Sequence, residues 1–200
     1  MKSLALLIAV MCSAIIAAAC ASTAAGRNLE LRGTTFRAQF ESLVLRTDSE
    51  TLCHVTLEGS FHSRTFAKVL GSLIGYVTTA RLGTCGEGRA TILTVTLPWH
   101  VTYAGFAGTL PNISEFATHV IGLSLSTQNR LAVCLVTTTA GEPVSMRFLR
   151  FLESGALRDV ELLGSIRTGA ECLGIRATLT TFREVITQLG TTNQVSLRLI

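Results

Sequence analysis

Hydrophobic and polar residues alternate over short runs along most of the chain. Between positions 51 and 59, Cys53, Val55 and Leu57 share one face of an extended segment, and His54 and Thr56 lie on the other. The same alternation occurs at 93–97, 121–126 and 195–199. A period of two residues with one polar face is typical of antiparallel sheets that pack on one side. The pattern therefore predicts an all-β protein.

Two stretches, 64–75 and 144–154, have hydrophobic spacings that also suit a helix. The first contains Gly71 and Gly75, and neither stretch has a convincing helix cap and stop, so we interpret both as strand or irregular structure. Roughly ten short strands separated by Gly, Asn and Ser favour an antiparallel β-sandwich or a closed β-barrel. The alternation at 195–199 predicts an edge strand at that end of the chain.

Three short motifs occur twice and in the same order. They are L-x-L-x-T at 43–47 and 123–127, C-x-V-T at 53–56 and 134–137, and R-A-T followed by Ile or Leu at 89–92 and 176–179. A repeated order of landmarks indicates a duplicated unit. The sequence therefore predicts two homologous halves, 29–113 and 114–200, that form one compact domain.

The beginning of the chain has the composition of a secretory signal. Lys2 is the only charge before Arg27, and an apolar run at 4–19 is followed by small residues. The run is shorter than the roughly 20 apolar residues that a membrane anchor needs. We predict a signal peptide over 1–24 and a secreted or cell-surface, extracytoplasmic bacterial protein. Cleavage after Ala21 or Ala24 and lipidation of Cys20 both remain open, and only lipidation would tie the chain to a membrane.

Four cysteines follow the predicted signal: Cys53, Cys85, Cys134 and Cys172. An even number in an exported chain predicts two disulfides, whereas structural zinc sites favour closely spaced pairs that this chain lacks. The repeat favours pairing within each half, Cys53 with Cys85 and Cys134 with Cys172. A duplication that exchanged strands would instead allow pairing across the halves.

The charge of the chain gives little indication of a partner. Removing Lys2 from the 17 basic residues leaves 16 against 13 acidic ones, and the basic residues are scattered. A nucleic-acid-binding face needs a concentrated basic stripe, so we expect no nucleic-acid partner.

No motif identifies a reaction. The histidines His54, His62, His100 and His119 lack metal-ligand spacing, and the chain has no G-x-S-x-G, no phosphate-binding loop and no recognisable pair of catalytic carboxylates. We therefore predict no catalytic residue, metal or cofactor, and interpret His54 and His62 as surface side chains.

The segment 97–112 is the most distinctive part of the chain. It gathers Trp99, His100, Tyr103 and Phe106 beside prolines and glycines. Aromatic clusters often line apolar or carbohydrate sites, so these four residues are our candidates for binding a small ligand of that kind. The interpretation that we favour for two of them is that Trp99 and Tyr103 fill the core at a sheet corner.

Several segments also resemble a known group of proteins. They are G-S-F-H-S at 59–63, L-I-G-Y-V-T at 73–78, L-P-W-H-V at 97–101 with Tyr103, and G-T-L-P at 108–111. Together they look like small exported actinobacterial proteins without an assigned function. The layout, a cysteine pair followed by L-P-W, is also similar to secreted surface proteins named as activators of alkane oxidation. The resemblance implies a surface-associated β protein and supplies no catalytic residues.

The predicted function is that of a secreted or cell-surface β module without enzymatic activity. Its expected role is structural or adhesive, through self-association or a cell-surface partner at exposed strand edges such as 195–200. The alternative is an extracellular binding protein with its ligand near Trp99 and Tyr103. A secreted hydrolase that uses one of the four histidines is the third interpretation, and it needs a serine or carboxylate beside that histidine.

Overall fold

The computed structural model describes residues 28–47, 50–109, 112–128, 133–149, 159–168 and 176–200. Within these ranges the Thr-, Val- and Leu-rich runs are extended, as their β-branched and apolar composition favours. The strands are β1 Asn28–Arg32, β2 Thr35–Arg46, β3 Glu50–Phe61, β4 Thr65–Ala67, β5 Leu73–Glu87, β6 Arg89–Ile92, β7 Trp99–Thr109, β8 Asn112–Ile121, β9 Ser124–Gln128, β10 Val133–Thr137, β11 Val144–Leu149, β12 Asp159–Arg167, β13 Arg176–Thr187 and β14 Ser196–Leu199. A 3-10 turn, Thr94–Thr96, precedes β7.

Eight of these strands close into an antiparallel barrel. Their order is β11-β12-β13-β2-β3-β5-β7-β8, and β8 pairs back with β11. The all-β prediction is therefore confirmed, and of the two architectures that the sequence left open the protein forms the barrel. Closure gives every barrel strand a neighbour on each side, so none of the eight is an edge strand.

Two three-stranded sheets, β14-β1-β4 and β10-β9-β6, pack against the barrel. Leu29 on β1 is fully buried, and Ile92 and Leu125 in the other sheet are 8% and 2% exposed. All three side chains belong to the same buried cluster as the barrel interior. The strand β14 lies at the edge of its sheet, as its alternation predicted.

Phe116 is the centre of a chain of aromatic rings inside the barrel. Its ring centroid lies 5.4 Å from that of Phe148, 5.7 Å from Phe66 and 6.2 Å from Tyr103. Offset and tilted ring pairs at such distances stabilise a core beyond their buried area. The interior of the barrel is therefore packed with side chains.

The two copies of the L-x-L-x-T motif pair with the two R-A-T segments in the same register. The strand β13 lies beside β2 in the barrel, and β6 lies beside β9 in the small sheet. The matching partners are Leu45 opposite Leu179, Arg46 opposite Thr178, Leu125 opposite Ile92 and Ser126 opposite Thr91. Each predicted half thus pairs with the other at equivalent positions. The cysteine-bearing hairpins differ, because Cys53 lies opposite Leu43 whereas Cys134 lies opposite Thr127.

The disulfide predicted within the first half is present. Cys53 on β3 is bonded to Cys85, its register partner on β5, with an S–S distance of 2.01 Å. Cys134 is buried on β10, and its predicted partner Cys172 lies outside the described residues. The predicted signal with Cys20 also lies outside them.

The alternation at 93–97 does not form the predicted strand. The strand β6 ends at Ile92, Thr94–Thr96 form the 3-10 turn, and Val95 is 88% exposed. Pro98 has no N–H group for a sheet ladder, so the chain turns before it. In this turn the hydroxyl of Thr96 donates to the carbonyl of Leu93.

An ion pair on the outer face joins β8 to β11. Arg147 donates from Nε and Nη2 to the two carboxylate oxygens of Glu115, each at 2.7 Å. These hydrogen bonds lower the pKa of Glu115 against the opposing effect of desolvation, and they raise the pKa of Arg147. A lowered carboxyl pKa stabilises the fold above the unfolded-state pKa, and this stabilisation is lost as the pH falls through the folded-state value.

We expect Glu115→Gln to lower the free energy of unfolding by roughly 1 kcal/mol at neutral pH, since both side chains are partly exposed. The difference should disappear in acid, once Glu115 is protonated in both states. Urea unfolding of parent and variant at several pH values measures it. Glu50→Gln, in the more exposed Arg46–Glu50 pair, is the control and should change stability less. Equal losses at all pH values would contradict the ionic explanation.

Candidate functional site

The predicted ligand residues on β7 are divided between the core and the surface. Trp99 is 1% exposed, and its indole Nε1 donates to the hydroxyl of Thr96 at 2.8 Å. Tyr103 is 3% exposed, and burial raises the pKa of its hydroxyl. Both therefore pack as core side chains, the arrangement that the favoured interpretation describes.

His100 and Phe106 lie at the surface. The ring of His100 is 5.4 Å from that of Tyr76 on β5, and Phe106 is 36% exposed with the Lys68 ammonium 4.8 Å from its ring centroid. The structure does not bring these two residues together with Trp99 and Tyr103 on one face. Ligand binding by this segment stays a prediction.

The four histidines are distributed over three places on the barrel. His62 and His100 flank Tyr76, with His62 in an edge-to-face contact at 4.8 Å. His119 on β8 lies opposite Thr102. His54 on β3 stands apart from the other three. Among the described residues, no three His, Cys, Asp or Glu side chains are grouped closely enough to hold a metal ion.

A cleft of about 540 Å³ opens on the outer face of β2, β3 and β5, around His54. Its apolar part is formed by Val44, Leu52 and Cys53 of the disulfide. Its polar part is formed by Glu41, Ser42, Arg46, Glu50, His54 and Thr84. The cleft therefore combines a small apolar floor with both hydrogen-bond donors and acceptors.

Two β-bulges flank His54 and account for the cleft. On β2, Phe40 lies opposite Val55 and Leu43 opposite Cys53, so Glu41 and Ser42 together face His54. On β5, Leu82 lies opposite Val55 and Cys85 opposite Cys53, so Gly83 and Thr84 together face the same residue. An extra residue on each neighbouring strand bends the sheet and changes the direction of its side chains. Bulges are frequent next to functional sites for this reason.

Gly83 allows His54 to fit between the bulges. A Cβ at Gly83 would lie 3.2 Å from the Cβ of His54, closer than most side chains tolerate. Glycine therefore leaves the His54 ring room over β5, while the ring itself is exposed to solvent. Neither His54 nor Ser42 makes a side-chain hydrogen bond within the described part of the chain. Their polar groups are available to a ligand.

The charges of the cleft are of both signs. Arg46 Nε donates to Glu50 at 2.7 Å near the tip of the β2–β3 hairpin, and both side chains are more than 40% exposed. Glu41, on the β2 bulge opposite His54, adds a second carboxylate. The arrangement suits a ligand that offers donors and acceptors at once, rather than a simple anion or cation.

Sequence reasoning missed this cleft, although β2 contains a signal for it. The core-cluster positions on β2 are even-numbered at Phe36, Ala38 and Phe40 and then odd-numbered at Leu43 and Leu45. Val44, between the last two, is also buried but lines the cleft. A change of parity within one strand requires an extra residue on one side, which is a bulge. The prediction treated His54 as an ordinary surface histidine because each strand was interpreted alone.

No family model, no curated protein and no solved structure matches this chain. The resemblance to exported actinobacterial proteins therefore stays a prediction. Within the ranges that the structure describes, no helix has the length and apolar character to span a bilayer.

Proposed function

We propose that this protein is an extracytoplasmic binding module without enzymatic activity, and that it holds a hydroxyl-rich ligand of the saccharide class in the cleft around His54. The observation that carries the proposal is the position of His54 between two β-bulges, which open a cleft of about 540 Å³ on the outer face of the barrel. Cavities of roughly 300–1,000 Å³ are typical of small-ligand sites.

The packed interior supports a ligand site on the outer face. Phe36, Phe116 and Phe148 are fully or almost fully buried inside the barrel, and Trp99 is 1% exposed. A ligand would have to displace these rings to enter, and removing one such ring from a core costs about 3–5 kcal/mol. The outer cleft is open without any such displacement.

The chemistry of the cleft favours a sugar over a purely apolar or purely ionic ligand. Each sugar hydroxyl both donates and accepts, so it can bond to a carboxylate such as Glu50 and to a donor such as Arg46 at once. The C–H face of a sugar ring is apolar and complements Val44 and Leu52 on the floor.

The extracytoplasmic location rests on the Cys53–Cys85 disulfide together with the leader-like composition of positions 1–24. Disulfides persist in oxidising compartments. We also propose that Cys134 pairs with Cys172 and that the two halves, 29–113 and 114–200, arose by duplication. The equal register of β13 on β2 and of β6 on β9 supports the duplication, and it indicates that the halves exchange strands.

Binding of a soluble glycan panel to the immobilised protein, followed by calorimetry with the best glycan, tests the proposal. We expect His54→Ala to weaken binding about tenfold, the effect of losing one hydrogen bond and its contacts. His100→Ala is the matched control, because it removes an exposed histidine from the face of the barrel that the sequence favoured. It should leave the affinity unchanged.

Other outcomes would identify the other interpretations. If His100→Ala weakens binding and His54→Ala does not, the ligand lies near β7. Turnover of a p-nitrophenyl ester or glycoside that requires His54 and Ser42 would make the protein a hydrolase. If no glycan binds and the chain instead forms concentration-dependent oligomers, that result favours the adhesive role, with self-association through the edge strands β14 and β4.

A further inference from the structure

An exposed apolar loop joins β4 to β5. Val69 is 58% exposed, Leu70 74% and Leu73 42%. We name positions 68–73 the apolar loop. Isolated exposed hydrophobic residues are common on protein surfaces, whereas several large ones within five positions indicate an interaction surface.

Hydrogen bonds hold the apolar loop in this exposed position. The N–H of Gly71 donates to the carbonyl of Tyr103 at 2.8 Å, and the N–H of Tyr103 donates to the carbonyl of Ser72 at 2.9 Å. The Ser72 hydroxyl also donates to the carbonyl of Val69 at 2.7 Å. The loop is therefore pinned to a buried residue of β7, and Leu70 cannot turn into the core without breaking these bonds.

Two basic side chains lie near the apolar loop. Lys68 begins the loop with its ammonium over the ring of Phe106, and Arg64 is exposed just before β4. The nearby carboxylate of Glu30 is bonded to Arg198 across the sheet. Apolar side chains at a tip with cations around its base are complementary to an anionic lipid surface, where hydrocarbon lies below negatively charged headgroups.

Asn28, the first described residue, lies beside the strand that leads into the apolar loop. Asn28 pairs with Ala67, the residue immediately before the apolar loop. Cys20, the candidate lipid attachment point, is eight positions before Asn28, so the chain between them spans at most about 28 Å. A chain tethered at Cys20 would hold this end of the molecule close to the bilayer.

We propose that the apolar loop inserts into the interface of an anionic lipid bilayer, with Leu70 as its deepest residue and Lys68 and Arg64 among the headgroups. The protein would then contact the membrane through the connection between β4 and β5. This inference goes beyond ligand binding at the cleft and does not depend on it, because no residue of the apolar loop lines the cleft.

The test uses Leu70→Trp and Val133→Trp in the chain as isolated from its producing host. Both positions are exposed, and Val133 lies on β10 in the other small sheet. Vesicles of phosphatidylcholine and phosphatidylglycerol should shift the emission of Trp at position 70 to shorter wavelength, and brominated lipid should quench it. The signals of the variant at position 133 and of buried Trp99 should stay unchanged. Because both variants share the same leading segment, a difference between them reports the loop itself.

Two substitutions measure the contributions to binding. Leu70→Ser should weaken vesicle partitioning about tenfold, and Lys68→Gln about fivefold on anionic vesicles with little effect on neutral ones. Equal quenching at positions 70 and 133, or none at either, would overturn the proposal. A blue shift at position 70 that grows with protein concentration without vesicles would also overturn it, and would assign the loop to a second copy of this chain. Glycan binding by the same variants tests the cleft separately.

Discussion

Replacing Gly59 by alanine is expected to lower the free energy of unfolding by about 3 kcal/mol, a large fraction of the roughly 5–15 kcal/mol that stabilises a typical domain. Gly59 lies opposite Val77 where β3 and β5 pair closely. A Cβ on Gly59 would overlap the carbonyl oxygen of Tyr76 and lie 2.6 Å from the Phe36 ring. The carbonyl belongs to the barrel ladder, so it cannot move without disturbing the pairing. Urea unfolding followed by circular dichroism measures the loss.

Gly86→Ala is the matched control for this prediction. Gly86 lies on β5, and a Cβ built on it meets nothing within 4 Å. We expect its stability to stay within about 0.5 kcal/mol of the parent. If both variants lose the same amount, the effect comes from the general preference of strands for larger residues and the proposed overlap is wrong.

The period-two pattern was sufficient to predict the strands because it reports directly which side chains face the core. Cys53, Val55 and Leu57 are 2%, 3% and 1% exposed, as the alternation on β3 predicted. The pattern could not choose between a sandwich and a barrel, since both bury one face of each strand. Closure depends on the pairing of β8 with β11, a contact that no local pattern contains.

The candidate site was harder to predict because it arises from three strands. The alternation correctly placed His54 on the outer face, but the two bulges that surround it depend on the registers of β2 and β5 against β3. The aromatic segment at β7 was a candidate site by composition, and Trp99 and Tyr103 are core residues, as the favoured interpretation predicted. Composition identifies bulky side chains but does not say which face of a curved strand they occupy.

The repeated motifs predicted one of the structure's pairings but not the others. It led to the Cys53–Cys85 pairing, which the structure confirms. It did not show that the L-x-L-x-T strand of each half pairs with the R-A-T strand of the other. Pairing between the predicted halves leaves the order of motifs unchanged, so only the strand registers could show it. The pairing of β13 with β2 and of β6 with β9 also makes each predicted half depend on the other for its sheet partners.

Removing the Cys53–Cys85 disulfide by the double substitution Cys53→Ala and Cys85→Ala should lower the free energy of unfolding by about 4 kcal/mol, from the entropy that the unfolded chain regains over a separation of 32 residues. Since Cys53 also forms part of the cleft floor, glycan binding should weaken in the same variant even where it stays folded. Denaturant unfolding with and without reductant measures the loss of stability, because the reduced parent and the double variant should then have the same free energy of unfolding.

The comparison variant is Cys134→Ala with Cys172→Ala. A similar loss of stability supports the second disulfide that we propose, and an unchanged stability contradicts it. If the first variant were as stable as the parent, the disulfide would contribute nothing to the barrel, and the register of β3 on β5 would depend on the ladder alone.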